Sequence, residues 1–503
     1  MFIAIADVYK RQQSLLIWQN MLKSIVFADE KNEFHYLYSF NKRELQCISI
    51  QLYDICNLYL ESHLVLLTEF LYRFSNKYSL SEIYYAYSEF IYLKDNGFLD
   101  EITNFNLVTK VSPNSVAIAE SSVRVITFEV TQRCNLQCAY CVYGPLYLNQ
   151  ENTHNKDLSF EKAKAVLDYF VSKIKKGSSV RKILTLGFYG GEPLLNFELI
   201  KQIVEYSKSI RSSIVDFEYT ITTNALLLDK YLDFLAKNDF ITLISLDGDY
   251  NASNYRITSN GTNPFTVIYN NIEQLKNQYP EYFKYRVSFN SVLHNKNSTL
   301  DTVRYINDKF RKLPLFSTLS SISVNPDKLR TYRKMYRSLS DDITNCKEQL
   351  EKDIFLTISP DINFLRKFFS NLLGRRITDL RFLLSDDPNI NYIPTATCSP
   401  FSFKVFVSSD GKIHPCEKVG YKYSLGEVTD QNELILDHEK IADTYNNLLD
   451  KVKDQCFNCY NIYTCSNCIF ESQGKCNCVT QKVFKKRISK YITELQHYRI
   501  SVT

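Results

Sequence analysis

Cys134, Cys138 and Cys141 form a CxxxCxxC motif with an aromatic residue just before its last cysteine. Cysteine thiolates are the usual protein ligands of iron–sulfur clusters. Three thiolates hold three irons of a four-iron cluster and leave the fourth iron open to bind a small molecule and pass it an electron. The odd number of cysteines argues against disulfide pairing, and structural zinc usually has four ligands in CxxC-type pairs. The motif therefore predicts a cluster with one open iron.

A run of β-branched and apolar residues over 123–130 leads straight into this motif. The run predicts a strand, so the cysteines lie on a loop at its end, where ligand sites of α/β folds are found. The next three strand candidates end in glycine-rich or polar segments at residues 190–193, 222–224 and 245–248. We expect these segments to lie at the same end of the sheet as the cysteines.

The cysteine motif resembles the signature of the radical SAM superfamily. Gly190, Gly191, Glu192 and Pro193 resemble the motif of that family whose backbone binds the amino group of S-adenosylmethionine. Two glycines allow such a close backbone approach. The resemblance implies reductive cleavage of S-adenosylmethionine to methionine and a 5′-deoxyadenosyl radical, which abstracts hydrogen from an unactivated carbon. The cofactor carries the hard chemistry, and the protein places and shields the radical.

The third and fourth strand ends resemble motifs of the radical SAM enzymes that carry a SPASM domain. By that resemblance, the ribose and carboxylate of the cofactor contact Thr223, Asn224 and Ser245. Arg256 matches a family arginine that pairs with the methionine carboxylate, a contact suited to guanidinium, although the usual His-Asp before it is absent. Tyr140 matches an aromatic that packs on adenine, with an ordinary core tyrosine as the alternative. Asp247 is either a general acid/base or a support for its loop.

The composition predicts a packed globular protein of about three domains, with 503 residues, 45% hydrophobic and 23% charged. The net charge of +5 does not argue for nucleic acid as a partner. No apolar run is long enough for a membrane span, and no secretory signal is evident. The fourteen cysteines are therefore expected in a reducing cytoplasm, where clustered cysteines indicate metal or redox chemistry.

Residues 13–115 are expected to form a small α/β, winged-helix-like module. Residues 34–39 are a strand candidate, and 45–59 and 65–74 have helical apolar spacing. Ser79 and Glu82 form a capping-box pattern that starts a third helix. Residues 1–12 are left out of the fold prediction, because residues 7–12 match the translation of a common transposase-adapter end in one reading frame. The alternative is an ordinary frayed terminus.

Strand and helix candidates alternate over residues 120–326, which predicts a partial (β/α)6 barrel of parallel strands, open on one side. The strand candidates are 123–130, 183–189, 217–223, 241–246, 285–293 and 321–324. The helix candidates are 159–176, 195–212, 228–238, 264–278 and 300–313. Residues 327–394 are expected to be a helical spacer.

Residues 395–480 are expected to form a cysteine-rich domain, followed by a basic tail over 481–503 that is a solvated helix face. The domain contains Cys398, Cys416, Cys456, Cys459, Cys465, Cys468, Cys476 and Cys478. Residues 405–407 and 412–414 predict a hairpin, since Asp-Gly is a good turn dipeptide. Eight thiolates can complete two four-iron clusters, and a zinc ribbon is the alternative.

The spacing after Gly411 resembles the SPASM domain. By that resemblance, Cys456, Cys459 and Cys465 share one auxiliary cluster with Cys476 or Cys478. The other auxiliary cluster would be held by Cys398, Cys416 and Cys468. The family usually has CxxxC where this chain has CxxC at 465–468, and a ligand expected shortly after Cys398 is absent near Lys404. One auxiliary cluster would then have an open iron, or Cys476 and Cys478 would divide between the two clusters.

Radical SAM enzymes with a SPASM domain mostly modify peptides and proteins. The resemblance implies three 4Fe-4S clusters, S-adenosylmethionine, a reductant such as flavodoxin or ferredoxin, and a ribosomally made precursor peptide as substrate. The N-terminal module would bind the precursor's leader, for example by strand addition. The alternatives are an anaerobic sulfatase-maturing enzyme, which makes formylglycine, and a catalytically silent iron–sulfur scaffold.

Overall fold

A computed structural model describes the chain outside a set of omitted segments. The described residues are 23–42, 44–63, 66–101, 110–148, 155–177, 181–321, 323–346, 349–360, 362–363, 397–419, 421, 423–462, 465, 467–473 and 478–497. The suspected adapter segment at residues 1–12, Cys476 and most of the second half of the expected spacer lie outside these ranges.

Helices and strands are numbered in chain order. The strands are β1 (Ile25–Ala28), β2 (His35–Ser39), β3 (Glu44–Ile48), β4 (Val125–Thr131), β5 (Lys182–Gly190), β6 (Val215–Thr223), β7 (Ile241–Ser245), β8 (Val287–Leu293), β9 (Leu315–Thr318), β10 (Lys404–Val407), β11 (Lys412–His414), β12 (Gly426–Val428) and β13 (Leu434–Leu436). The helices are α1 (Ile50–Ser62), α2 (Leu67–Phe74), α3 (Leu80–Asp95), α4 (Pro113–Ala119), α5 (Phe160–Gly177), α6 (Phe197–Ser209), α7 (Leu228–Lys237), α8 (Phe265–Gln278), α9 (Pro280–Arg286), α10 (Thr299–Phe310), α11 (Leu329–Met335), α12 (Leu339–Cys346), α13 (Lys352–Ile358), α14 (His438–Leu449), α15 (Lys453–Cys456), α16 (Ile469–Ser472) and α17 (Gln481–His497).

The chain divides into two compact units. One comprises the described residues of 1–109, 361–397 and 447–503, and the other those of 110–360 and 398–446. Residues 395–480, which we expected as one cysteine-rich domain, are therefore divided between the two units.

The first unit begins with a three-stranded antiparallel sheet in the order β1-β2-β3, followed by α1 to α3. Leu37, Ile55, Phe70 and Phe90 lie in its buried core. The strand at 34–39 and the capping box of Ser79 are confirmed. The predicted helix over 45–59 is wrong at its start, because residues 44–48 pair with β2 and Ser49 caps the helix that follows.

Helix α17, expected as a solvated tail, packs along β1 in the first unit. The Ser489 hydroxyl donates a hydrogen bond to the Ala28 carbonyl, and the Glu30 amide donates to the Thr493 hydroxyl at 2.9 Å. Ile488 and Ile492 are buried on the helix. The prediction of a helix here is confirmed, but one face of the helix is buried and covers the β1 side of the sheet.

The second unit is built on one sheet of order β13-β12-β11-β10-β4-β5-β6-β7-β8-β9. Strands β4 to β9 are parallel, as expected for six βα units. Residues of β6 alternate between buried and half-buried along the strand, so one face of the sheet packs on helices and the other is more open. The α/β class and the parallel sheet are confirmed.

The sixth parallel strand was predicted at the wrong place. It was expected at 321–324, but β9 lies at Leu315–Thr318 and pairs with β8 in the register Ser291↔Phe316. Pro314 separates this segment from the preceding helix, so the residues directly after the proline align with β8. Val324 makes only an isolated antiparallel bridge to Tyr147.

The predicted hairpin at 405–414 is confirmed and extends the same sheet. β10 pairs in parallel with β4 through Val407↔Phe128, and antiparallel with β11 through Phe406↔His414. The described part of the expected spacer contains α11, α12 and α13. None of the helices in the described ranges combines the length and apolar character needed to cross a bilayer.

Candidate functional site

The three cysteines of the CxxxCxxC motif lie on one loop directly after β4, as expected. The amide of Cys141 donates to the carbonyl of Cys138 at 3.0 Å, which closes a tight turn. The Leu136 amide donates to Cys134 Sγ at 3.4 Å. Burial raises the pKa of the Cys138 thiol to about 11, so the metal-free thiol is protonated at neutral pH. Metal binding would displace this proton, since cysteine binds metals as the thiolate.

This donor set fits an iron–sulfur cluster, because three sulfurs of one short loop share a turn whose backbone donates towards sulfur. Cys134 is exposed, and Cys138 and Cys141 are half-buried. In the described part of the chain, no three Cys, His, Asp or Glu side chains converge within reach of a single metal ion. A four-iron cluster is larger than one ion and separates its thiolates correspondingly.

Gly190 and Gly191 lie against the backbone that leads into the cysteine loop. A Cβ on Gly190, whose φ is +138°, would come 2.1 Å from the Thr131 carbonyl oxygen, and one on Gly191 would come 2.2 Å from that of Arg133. The amides of Gly191 and Glu192 donate to these two carbonyls, each at 2.9 Å. The two glycines were expected to let the backbone approach a ligand; in the structure they let it approach the segment that leads into the cysteine loop.

Glu192 is buried and connects the second and third strand ends. Its carboxylate accepts hydrogen bonds from the Thr223 hydroxyl and the Asn224 amide, both at 2.7 Å, and from the Leu194 amide at 3.2 Å. Burial raises the pKa of Glu192 to about 7, against the opposing effect of these donors. Pro193 starts the short 3-10 helix that follows. The Thr223 hydroxyl, which was expected to contact the cofactor, therefore donates a hydrogen bond within the protein, to Glu192.

Asn224 reaches the cysteine loop from the third strand end. Its side-chain amide donates to Asn135 Oδ1 at 2.7 Å and lies 3.9 Å from Cys134 Sγ. Ser245 ends β7 in register with Asn290 and is half-buried. The predicted strand-end segments at 190–193 and 222–224 are thus brought to the cysteine loop by direct hydrogen bonds.

Asp247 is the centre of a buried network beside the same loop. Its carboxylate accepts hydrogen bonds from the Tyr140 hydroxyl, from Arg256 Nε at 3.0 Å and from the Val292 amide at 3.0 Å. His294 Nε2 lies 3.6 Å from the same carboxylate, and its ring stacks on Tyr140. The amide of Ala139 also donates to the Tyr255 carbonyl at 3.0 Å.

The Asp247 network fixes the charges of its members. Burial alone would raise the pKa of Asp247, but the Arg256 charge and the His294 contact outweigh it and lower the pKa to about 2. The same pairing raises the pKa of Arg256, against the effect of burial. Asp247 is therefore a permanent anion, which favours loop support over general acid/base chemistry. Tyr140 and Arg256, expected at the adenine and the methionine carboxylate, are engaged by this anion.

Sequence reasoning missed His294 and Asn297, which belong to the same network. Asn297 Nδ2 donates a hydrogen bond to the backbone carbonyl of Asp247 at 3.0 Å, and Asn297 Oδ1 accepts one from the His294 amide at 2.8 Å. Both residues follow the end of β8. The signal that could have found them is their position, since each earlier strand end had contributed a residue to the site.

We expect Asp247→Asn to lower the free energy of unfolding of the metal-free chain by about 3–5 kcal/mol, because it leaves the Arg256 charge buried without its counterion. Asp239→Asn is the matched control: Asp239 pairs with Arg286 at the surface, where such a pair is worth about 0–1 kcal/mol. Urea unfolding of both variants measures the difference. Equal losses would contradict the buried network.

The same variant has a pH signature. The pKa of Asp247 is lower in the folded chain than its ordinary value of about 3.9, so its stabilisation is complete only from about pH 5 upwards. The stabilisation is lost as the pH falls towards the folded pKa of about 2. The stability difference between wild type and Asp247→Asn should therefore shrink over this range and stay constant from about pH 5 upwards.

Two of the eight C-terminal cysteines, Cys398 and Cys416, lie in the second unit. Cys398 is exposed and Cys416 is half-buried. Lys404, which stands where a further ligand was expected, begins β10 and pairs with Glu417 at 2.6 Å. Cys468, expected to share a cluster with Cys398 and Cys416, lies in the first unit.

The other described members of the eight C-terminal cysteines belong to the first unit. Of these, Cys456 and Cys459 are buried in one turn. The Val479 amide donates to Cys459 Sγ at 3.4 Å, and the Tyr460 amide donates to the Val479 carbonyl at 3.1 Å. This pairing brings the neighbouring Cys478 alongside the turn. Cys465 and Cys468 are half-buried.

Comparison with known proteins agrees with this geometry. Residues 128–306 match the model of the radical SAM superfamily. The chain is 28% identical over 323 residues to an uncharacterized protein of Methanocaldococcus jannaschii, covering 64% of this chain and 94% of that protein. It is 26% identical to the radical SAM cyclopropyl synthase TigE of Paramaledivibacter caminithermalis, covering 49% and 50%. It is 25% identical to a cysteine-type anaerobic sulfatase-maturating enzyme of Clostridium novyi, covering 60% and 76%.

Proposed function

Because residues 128–306 match the model of the radical SAM superfamily, we propose that the chain is a radical SAM enzyme and that it matures a ribosomally made peptide. The observation that carries the proposal is the convergence of the cysteine loop, the Gly190–Glu192 backbone and the Asp247 network at the ends of parallel strands. The similarity to a cyclopropyl synthase and to a sulfatase-maturating enzyme supports a peptide or protein substrate.

In this proposal Cys134, Cys138 and Cys141 hold a 4Fe-4S cluster that binds S-adenosylmethionine. Bound there, such a cluster would supply the electron for reductive cleavage of S-adenosylmethionine. Asn224 and Ser245, together with the backbone of residues 190–193, would contact the cofactor. The contacts of Thr223, Tyr140 and Arg256 within the protein favour a positioning role for these three side chains.

We further propose two auxiliary 4Fe-4S clusters. Cys456, Cys459, Cys465 and Cys478 would hold one of them; the pairing of Val479 with Cys459 supports Cys478 as its fourth ligand. Cys398 and Cys416, which both lie in the second unit, would be ligands of the other. The Lys404–Glu417 ion pair supports an open iron in that cluster, since no thiolate stands there. A flavodoxin or ferredoxin would supply the electrons.

The N-terminal sheet supports a peptide partner. Helix α17 covers its β1 side, whereas β3 pairs with β2 and, among the described strands, with no other. A free strand edge presents unpaired amides and carbonyls that an extended peptide can complete. On the same module, α3 exposes Tyr84, Tyr85 and Tyr92, a residue type enriched at interfaces. We propose that the winged-helix-like module binds a precursor leader along β3.

Proline substitutions test this edge. The amides of neighbouring strand residues point in opposite directions, so of Gln46→Pro and Cys47→Pro one removes an outward donor and the other a β2–β3 bond. We expect the outward variant to bind the peptide about tenfold more weakly, as for one lost hydrogen bond, without loss of thermal stability. The probe is a labelled peptide encoded by a short reading frame beside the gene, measured by fluorescence anisotropy. Unchanged affinity in both variants would exclude β3.

Anaerobic reconstitution tests the function as a whole. We expect about twelve irons per chain and release of 5′-deoxyadenosine that depends on dithionite. About four irons together with bound zinc would remove the auxiliary clusters from the proposal. A full iron load without cofactor cleavage, even with the neighbouring peptide present, would indicate a silent scaffold. Conversion of a sulfatase-motif cysteine to formylglycine, with no change in the neighbouring peptide, would establish the sulfatase-maturing alternative.

A further inference from the structure

Glu129 is a fully buried acid on β4 that no part of the proposed chemistry uses. One carboxylate oxygen accepts hydrogen bonds from the Tyr143 hydroxyl at 2.9 Å and the Tyr421 hydroxyl at 2.6 Å. The other oxygen accepts the Ser409 amide at 2.9 Å. Three donors from outside β4 therefore converge on this one side chain.

In the part of the chain that the structure describes, the Glu129 carboxylate is satisfied by hydrogen bonds and not by an ion pair. Within the described ranges, no Lys, Arg or His lies at ion-pair distance from it. The hydroxyls of Tyr143 and Tyr421 both donate to it, as phenols keep their proton at neutral pH. A buried charge without a counterion is costly unless hydrogen bonds satisfy it, and a local charge of this kind needs an explanation.

The three donors belong to the two cysteine-bearing segments of the second unit. Tyr143 lies two residues after Cys141 on the cysteine loop, while Ser409 and Tyr421 stand on either side of Cys416 in the hairpin region. Glu129 itself is in register with Tyr189 on β5. The carboxylate therefore joins the loop that carries the first cluster to the segment that carries part of the second.

We propose that Glu129 is a positioning residue that fixes the cysteine loop against the Cys416 hairpin and places a negative charge beside both, which makes the clusters harder to reduce. The redox half of this proposal, which is the effect of the charge on cluster reduction, rests on the proposed function. The mechanical half, which is the fixing of the cysteine loop against the Cys416 hairpin, does not. A fixed negative charge favours the more oxidised state of a cluster, since each reduction adds one electron to the same region.

Two variants separate the halves. Glu129→Gln removes the charge and mismatches one donor, whereas Tyr143→Phe removes one hydrogen bond and leaves the charge. Hydrogen exchange of the metal-free chain reports on the loop: we expect amides of residues 138–148 to exchange about tenfold faster in both variants, as for one lost charge-assisted hydrogen bond. Tyr206→Phe is the control, because it removes a similar phenol–carboxylate bond to Asp168 at the surface.

Potentiometric titration followed by electron paramagnetic resonance reports on the charge, with dithionite as reductant. At a fixed potential, Glu129→Gln should raise the ratio of reduced to oxidised cluster about tenfold, which is about 59 mV for a one-electron couple. Tyr143→Phe should leave this ratio within about twofold of wild type. Glu129→Asp, which keeps the charge, should restore the wild-type ratio.

Each outcome decides one half. Wild-type exchange in both variants would overturn the mechanical half, and an unchanged ratio in Glu129→Gln would overturn the redox half. If Glu129→Gln does not fold, Tyr143→Phe and Tyr421→Phe decide the mechanical half singly, and Glu129→Asp with a shifted ratio would overturn the redox half. If the wild type takes up no cluster, the proposed function and the redox half fail together, while the hydrogen-exchange experiment still decides the mechanical half.

Discussion

Cys134→Ala is expected to abolish cleavage of S-adenosylmethionine and to lower the iron content from about twelve to about eight per chain, since one four-iron cluster is lost. Cys134 is exposed on its loop, so its removal leaves no cavity in a core and should not unfold the chain. The loss would therefore be a loss of cluster ligation. Iron and sulfide counting after anaerobic reconstitution, with 5′-deoxyadenosine measured alongside, gives both quantities.

The control for this prediction is Cys346→Ala. Cys346 ends α12 and belongs to neither cysteine group, with its thiol near the Ile343 carbonyl. This variant should keep all of its iron and its full rate of nucleoside release. Residual reductant-dependent cleavage in Cys134→Ala above the no-enzyme background would mean that the loop is not the site of the reaction.

Gly191→Ala is expected to lower cofactor cleavage at least about a hundredfold, because a displacement of about 1 Å in a catalytic loop can cost that much. The added Cβ would lie 2.2 Å from the Arg133 carbonyl oxygen, and that carbonyl accepts the Glu192 amide at 2.9 Å. Neither backbone can give way without moving the segment that leads to Cys134. The iron content of the first cluster should fall with the activity.

Gly261→Ala separates this steric effect from a general cost of replacing glycine. Gly261 has a φ of +80°, yet an added Cβ there meets nothing within 4 Å. It should cost about 1 kcal/mol of backbone strain and leave iron and cleavage unchanged. Normal iron content in Gly191→Ala would contradict this prediction, because it would mean that the cysteine loop accommodates the added Cβ.

The cysteine motif and the strand ends around it could be predicted because their signals are local. A β-branched run shortly before Cys134, and glycines at the end of β5, lie within a few residues of the features that they determine. The capping box of Ser79 is local in the same way. Each of these predictions needed no knowledge of what the segment packs against.

Strands defined by distant partners were predicted less well. Residues 45–48 have apolar spacing that also suits a helix, and they become β3 because they pair with β2. β9 was misplaced because its register is set by β8. In both cases tertiary pairing overrides a weak local preference.

The hydrogen-bond partners of Glu129 and Asp247, two buried acids of the second unit, could not be predicted from the sequence. Glu129 is bonded to residues 14 and 292 positions away, and Asp247 to a tyrosine 107 positions earlier. No local pattern marks a residue whose partners are so distant. Tyr140 and Arg256 are hydrogen-bonded to Asp247, and Thr223 to Glu192. The resemblance that suggested cofactor contacts for these three residues could not reveal their protein partners.

The parallel pairing of β10 with β4 has a consequence for how the chain is made. β4 leaves the ribosome early, but its partner β10 begins only at Lys404. At synthesis rates of about 5–20 residues per second, that edge of the sheet waits roughly fifteen seconds to a minute before its neighbour exists. During that time it presents unpaired amides and carbonyls, which invite pairing with other chains. Chaperone supply during translation should therefore limit the yield of this protein more than the stability of the finished sheet does.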